Sequence, residues 1–160
     1  MAKVHKGRYT AAMDEDFVVF LIGMRFNKLW KVHRWMPVFV AMPKMLRVLQ
    51  KNPDRGLLNA RLAFGGRTIT SVQYWRSFEH LERFARDAND PHLAPWRKFN
   101  KKVGASGDVG IYHETYKIHA GDYETVYGNM PIMGLAAAGT HLSVTEARDA
   151  ARQRMTASAT

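Results

Sequence analysis

The run Asp16-Phe-Val-Val-Phe-Leu-Ile-Gly-Met-Arg-Phe26 constrains the fold of this chain more than any other stretch. It is continuous, apolar and rich in β-branched and aromatic residues, the pattern of a buried central strand. In a strand, Val18, Phe20, Ile22 and Met24 point to one side and Phe17, Val19 and Leu21 to the other. Both faces are therefore apolar and both need cover. A single layer of helices covers only one face. A second copy of the chain is the expected lid for the other, which predicts a homodimer closed sheet to sheet.

The remaining elements follow from periodicity and punctuation. From about Pro37 to Gln50 the apolar positions Val38, Met42, Met45, Leu46 and Leu49 recur at helical spacing, and Asn52-Pro53-Asp54-Arg55-Gly56 ends the helix. Two strands, Leu57 to Phe64 and Thr68 to Tyr74, flank Phe64-Gly65-Gly66-Arg67, where paired glycines accommodate the positive φ angles of a tight hairpin. Ser77 caps a helix that carries Phe78, Leu81, Phe84 and Ala85 on one face, and Asp90-Pro91 breaks it. A second short helical piece is expected from about His92 to Lys101. Val109 to Ile118 and Tyr123 to Tyr127 then read as strands around His119-Ala-Gly-Asp122. Gly134 to Gly139 reads as a loop, Ser143 to Arg154 as a surface helix, and Thr156 to Thr160 as a frayed end. The order βαββαβ with one additional strand predicts an α+β class, a ferredoxin-like antiparallel sheet with helices on one face. We expect one domain over residues 1–160, its core from about 10 to 130 and a C-terminal extension over 131–160.

Composition removes several function classes. The chain has no cysteine, so disulfides, zinc-thiolate sites, iron–sulfur clusters and thiol catalysis are excluded, and metal chemistry would fall to seven histidines, the carboxylates or a cofactor. A formal charge of +10 invites a nucleic-acid reading, but Arg97, Lys98, Lys101 and Lys102 are the only tight cluster and no recognition motif accompanies it. No nucleic-acid partner is expected. The apolar runs Phe17 to Met24 and Trp35 to Met42 are too short to span a bilayer. The basic start at Lys3, His5, Lys6 and Arg8 leads into Asp14, Glu15 and Asp16, not into a signal-peptide core. The expectation is a cytoplasmic protein with no membrane partner.

Two histidines stand in distinct contexts, one in His92-Leu-Ala-Pro-Trp96 on the expected helical piece and one in Tyr112-His113-Glu114 on an expected strand. If that helix packs across that strand's sheet, the two imidazoles face one pocket from opposite walls. Gln73-Tyr-Trp-Arg-Ser-Phe-Glu-His-Leu-Glu-Arg-Phe-Ala85, followed by His92, resembles the second-helix signature of the dimeric α+β barrel superfamily. That superfamily includes antibiotic-biosynthesis monooxygenases, haem-degrading monooxygenases and aldoxime dehydratases. Most of the chain, from Met24-Arg-Phe-Asn-Lys28 through Tyr127-Gly-Asn-Met-Pro131 to Gly134-Leu135, is similar to a family of small bacterial proteins labelled monooxygenase.

A sharper likeness is to the C-terminal half of haem-containing aldoxime dehydratases, carried by His92-Leu-Ala94, Tyr112-His113-Glu114 and the stretch Glu124 to Asn129. It implies haem as cofactor, His92 as the proximal ligand to its iron, and His113 as the distal acid/base acting on an N–O compound or in oxygenation of a small apolar substrate. Met130-Pro131 departs from that family's Cys-His. The chain is also about half the dehydratase length, so a second copy would supply the missing half, and the family's substrate-contacting serine is not assigned to a residue here. Arg25 is the candidate for its arginine.

The residue types suit this chemistry. Neutral imidazole binds haem iron and leaves the opposite coordination position for substrate, while a second imidazole exchanges protons near neutral pH. Arg25 and Arg76 are candidates to meet the haem propionates, with Trp75 and Trp96 beside the cofactor. Trp30, Phe99, Tyr112 and Tyr116 are candidates to line an apolar substrate slot. Each has a plainer reading as well: His92 caps the helix after Pro91, His113 is an exposed strand residue, and the tryptophans are core. An alternative within the same fold is a cofactor-independent monooxygenase, in which an electron-rich substrate activates dioxygen while Tyr112, His113, Tyr116 and Trp75 line its pocket. A non-enzymatic ligand-binding dimer would use the same cavity.

Overall fold

Flanked on both sides by antiparallel partners, the apolar run does occupy a central position. In the computed structural model, which describes residues 2–87 and 106–144 together with 151 and 155, strands β1 (His5–Ala12) and β2 (Phe17–Phe26) come first. Helix α1 (Val32–Lys51) and a 3₁₀ turn (Pro53–Arg55) lead to the hairpin β3 (Leu57–Gly65) and β4 (Thr68–Trp75). Then follow α2 (Phe78–Arg86), β5 (Val109–Ile118), β6 (Tyr127–Met130), α3 (Leu135–Ala138) and β7 (Thr140–Ser143). The main sheet has the order β3-β4-β2-β5, with every neighbouring pair antiparallel. This is the ferredoxin-like arrangement expected from βαββαβ, and the protein is α+β.

Strand β2 pairs with β4 from Val18 to Arg25 and with β5 from Phe17 to Phe26. Its even-numbered residues face the helices. Val18 joins Trp75, Leu57, Leu46, Leu49, Leu81 and Phe84 in the principal core, with Phe20 and Met42 against it. Met24, Val38 and Val109 form a second cluster, next to Phe26 and Trp35. Fully burying a side chain of this kind contributes about 1.5–3 kcal/mol, so these two clusters fix α1 and α2 to one face of the sheet.

Helix α1 begins five residues earlier than the periodicity predicts and contains Pro37 and Pro43. Interior proline removes a helical hydrogen bond and ordinarily breaks the helix. Here packing continues across both prolines through Val38, Leu46 and Leu49, and Trp35 anchors the first turns: its ring meets Phe26 at 4.7 Å and its indole N–H donates to the Leu29 carbonyl at 3.0 Å. Ser77 caps α2 as expected, its Oγ accepting from the His80 amide.

The odd-numbered face of β2 is only partly closed, and the lid at one end is the chain itself. Phe17 packs with Ala11, Leu135 and Ala136, and Val19, Tyr74, Ile118, Tyr123 and Tyr127 lie against them. These contacts come from a second sheet of order β6-β1-β7 that the sequence pattern does not announce. Strand β1 is polar at most positions, and its partners lie more than a hundred residues away. The expected Tyr123–Tyr127 strand shifts to Tyr127–Met130, because Thr125 spends its hydroxyl and carbonyl on Thr10 and Ala11. The stretch expected as loop forms α3, with Leu135 and Ala136 buried, and Gly139 is required after it: a Cβ there would lie 2.3 Å from the Ala12 carbonyl oxygen. Ser143 belongs to β7, not to a helix. The rest of the expected Ser143–Arg154 helix, apart from residue 151, and the expected His92–Lys101 piece lie outside the described residues.

One buried charge ties the loop before α1 to the start of β5. Asp108, 2 % exposed at its side chain, meets Lys28 at 3.0 Å and Lys31 at 2.9 Å, while its backbone carbonyl accepts from the amides of Asn27 and Lys28. The hydrogen bond from Lys31, then that from Lys28, lowers the Asp108 carboxyl from 3.8 to about 2. A carboxyl depressed in this way stabilises the fold fully above its unfolded pKa and loses that contribution as pH falls through the folded value. We therefore predict that Asp108→Asn lowers Tm by several degrees at neutral pH. The gap to the wild type should close as pH is lowered from about 4 to about 2, measured by circular-dichroism melts across that range.

Candidate functional site

Where α1 crosses the helix-facing side of the sheet it leaves an apolar groove with an enclosed volume of about 60 Å³. Ile22, Met24, Ile69 and Ile111 form its floor, Val38, Phe39, Met42 and Pro43 its roof, and Leu62 and Phe64 its rim. Ser71 is the polar member of this lining. Strand geometry accounts for the composition: side chains facing one way alternate along each strand, and on β2, β4 and β5 those facing α1 are mostly apolar.

Ser71 belongs to a buried polar ladder on β4. The Trp75 indole N–H donates to Gln73 Oε1 at 2.9 Å, and Gln73 Nε2 donates to Ser71 Oγ at 3.2 Å. All three residues are at most 1 % exposed. With both ends of its amide engaged, Gln73 has one orientation, and the Ser71 hydroxyl acts as acceptor on that side. Ser71 is thus shared between this ladder and the groove lining.

His113 stands on the same side of the sheet. Ile22 pairs with Ser71 on β4 and with His113 on β5, so the three form one cross-strand row. Two strand spacings separate the backbones of Ser71 and His113, about 9.5 Å. The imidazole lies 5.9 Å from the Phe20 ring. It is exposed, because β5 is an edge strand that the described elements cover only at its two ends. Ile111 packs in the cluster beneath α1, and Lys117 lies over the Phe78 ring of α2 at 4.8 Å. Between these ends His113 and Thr115 are exposed.

The other expected site residues separate by strand parity. Adjacent residues on a strand point to opposite faces, so Tyr112 and His113 cannot share a pocket wall as the sequence reading supposed. Tyr112 lies across the far face of β2, over Gly23, and bonds Thr70 on β4. A Cβ on Gly23 would come within 2.3 Å of that ring. Tyr116 is on the Tyr112 face, where its hydroxyl donates to Glu114 at 2.6 Å and the carboxylate raises the phenol pKa. Arg25 is also on that face, exposed near the end of β2, so it does not meet His113. Trp75 is fully buried against Phe84 and stands behind the groove rather than in it. Arg76 is exposed just beyond β4, and Trp30 is 73 % exposed on the loop before α1. His92, Trp96 and Phe99 lie outside the described residues.

Sequence reasoning missed Ser71 and Gln73. Parity alone would have found them: a strand that turns Trp75 inward turns Gln73 and Ser71 inward too. Among the described residues no three His, Asp or Glu side chains converge as a metal site.

Residues 17–135 match the family described as Monooxygenase af470-like. The chain is 26 % identical to a monooxygenase af470 of Aspergillus fumigatus over 157 residues, covering 81 % of this chain and 53 % of that protein. Among solved structures it is similar to an aldoxime dehydratase in complex with butyraldoxime, at a TM-score of 0.66 and 17 % identity, covering 86 % of this chain and 42 % of that one. A second aldoxime dehydratase structure gives 0.67 and 18 %, covering 91 % and 45 %. The chain thus spans about half the length of each of these three proteins, and these structural likenesses concern the fold.

Replacing Gln73 with Leu leaves the Trp75 N–H without its acceptor in a site closed to water, a loss of about 1–3 kcal/mol. We expect that destabilisation in urea titrations of Gln73→Leu. Ser71→Ala, which leaves a buried Gln73 amide N–H without its acceptor, should cost a comparable amount, about 1–3 kcal/mol.

Proposed function

The chain belongs to the Monooxygenase af470-like family, and on that premise we propose that it is an oxygenase acting on a small apolar substrate bound between α1 and the sheet, beside His113. The observation that carries this reading is the cross-strand row. It sets an imidazole on the same sheet face as an apolar groove, with the Ser71 hydroxyl at the other end of the row. The groove orients a substrate by shape and excludes water from its inner end. His113 takes a proton from an electron-rich substrate, leaving a carbanion or phenolate able to pass electrons to dioxygen. Ser71 offers a hydrogen bond to a carbonyl or hydroxyl oxygen of the same molecule.

A haem-dependent reaction is the second reading, favoured by the matching contexts of His92 and His113 and by the exposure of the His113 imidazole on β5. The described groove does not itself fit a haem. Its enclosed volume is far below the ~300–1,000 Å³ of sites for drug-sized ligands, and no histidine lines it. A haem would instead bind beside His113, with His92 as the candidate iron ligand, Arg76 among the candidates for the propionates, and Trp96 as a further candidate contact. Bound there it would supply an iron centre for N–O or dioxygen chemistry. The chain's own contribution in either case is proton transfer at the His113 imidazole.

We also propose that a second copy closes the uncovered part of the sheet, where Leu21 and Val72 pair side by side and Tyr112 and Tyr116 are exposed. Such a homodimer would bring Arg25 and the two tyrosines into a shared interface, apart from the groove. Analytical ultracentrifugation should show a dimer that Val72→Arg dissociates; a wild-type species at 18.3 kDa overturns this assembly.

His113→Ala should lower turnover by about 10²- to 10⁴-fold, the usual contribution of a positioned acid or base, with its melting curve unchanged because the side chain is exposed. Titration with haemin separates the two readings. A Soret band that His92→Ala removes supports the haem reading, whereas oxygen consumption by haem-free protein supports the cofactor-independent one. Full activity of His113→Ala overturns both.

A further inference from the structure

The whole formal charge of the protein sits in one stretch. Between Phe17 and Phe78 there are eleven Lys and Arg residues and a single acid, Asp54, a net +10 that equals the charge of the full chain. That stretch also carries the largest group of exposed apolar side chains among the described residues. On the outer side of α1, Val32, Met36, Phe39 and Val40 recur at helical spacing and are exposed. Trp30, 73 % exposed, precedes them on the adjoining loop, and Phe64, 71 % exposed, stands at the tip of the β3–β4 hairpin. Phe39 and Phe64 are also part of the groove lining, so the groove opens within this patch.

The outer side of α1 changes character along its length. Its first turns are apolar; from Val40 onward the same side continues as Lys44, Arg47 and Lys51, all exposed. Arg67 follows Phe64 on the hairpin, and His33 follows Val32. No acid occurs anywhere in α1. A helix lying in a lipid interface has this form: apolar and aromatic residues enter the acyl boundary while Lys and Arg lie along the headgroups. Trp30 has the amphipathic ring that favours the headgroup level.

We propose that the outer side of α1 and the tip of the β3–β4 hairpin dock on an anionic lipid surface, and that an apolar substrate reaches the groove from that surface. The contact is peripheral, since no described helix is long and apolar enough to cross a membrane. Charge complementarity selects the lipid over a second copy of the chain. Two such patches brought together would oppose like charges, whereas phosphatidylserine supplies the negative partner for Lys44, Arg47, Lys51 and Arg67. Docking does not depend on the reaction proposed above, so its test needs no turnover.

The test is sedimentation with phosphatidylcholine vesicles prepared with and without phosphatidylserine. The wild-type protein should co-sediment with the anionic vesicles, and raised salt should weaken the binding. The double variant Trp30→Glu, Phe64→Glu alters only exposed side chains, so it should keep its melting curve while binding falls by about tenfold or more. Lys44→Glu with Arg47→Glu should lose the preference for phosphatidylserine. The proposal is overturned if the wild type stays in the supernatant with anionic vesicles, or if the Trp30, Phe64 variant binds as the wild type does. It is also overturned if light scattering shows self-association that this variant abolishes, since the patch would then belong to a second copy.

Discussion

Strand β2 is apolar on two faces and hydrogen-bonded along two edges, and the rest of the molecule is arranged around those four demands. Its backbone is satisfied by β4 on one side and β5 on the other over nearly its full length. Its even-numbered side chains are covered by α1 and α2, and Phe17 and Val19 by the β6-β1-β7 sheet with α3. A buried strand with an unpaired edge or an uncovered apolar row would lose several kcal/mol of hydrogen bonding and burial. The connections that bring these covers into place therefore become fixed features. The Asp108 clasp holds the loop from β2 into α1, and Gly139 permits the chain to turn back beside Ala12.

Because β2 divides the molecule into two sides, it also separates the polar side chains of its neighbours into two groups. On the helix side, the row Ser71, Ile22, His113 places a hydroxyl and an imidazole around apolar floor residues. On the other side, Gly23 leaves the space across which Tyr112 reaches Thr70. One missing side chain thus links β5 to β4 over the top of β2. The helix side of the sheet carries Ser71 and His113, and the opposite side the exposed rings of Tyr112 and Tyr116. Burial differs in the same sense: Ser71 and Gln73 are closed beneath helices, whereas His113, on the edge strand, remains accessible. The structural polar groups are thus kept dry, while the imidazole is left in contact with solvent.

Much of this was legible in the residues. The apolar run, the Gly65-Gly66 hairpin, the Ser77 cap and the βαββαβ order give the α+β architecture directly, because each is a local preference of backbone or side chain that the tertiary fold does not oppose. Helix α1 shows the limit of such reading. Pro37 suggests a start, yet packing of Val38 and Trp35 carries the helix back to Val32, since tertiary burial outweighs the loss of a helical hydrogen bond. The candidate site was legible as residue types but not as a constellation: the sequence groups Tyr112, Arg25 and Trp75 with His113, and the fold separates them from it.

What the sequence by itself determined is the central strand, the helix layer, the absence of thiol chemistry and the concentration of charge between Phe17 and Phe78. All of these depend on local patterning or on counts. Tertiary structure alone decided which side chains meet. Register across three strands aligned Ser71, Ile22 and His113, and the period of two along β5 sent Tyr112 to the opposite face. Pairing of β1 with β6 and β7, across more than a hundred residues, supplied a lid for one end of the sheet that no local pattern foretells. Such contacts arise when distant segments satisfy each other's hydrogen bonds and apolar surface. Neither segment carries the information alone.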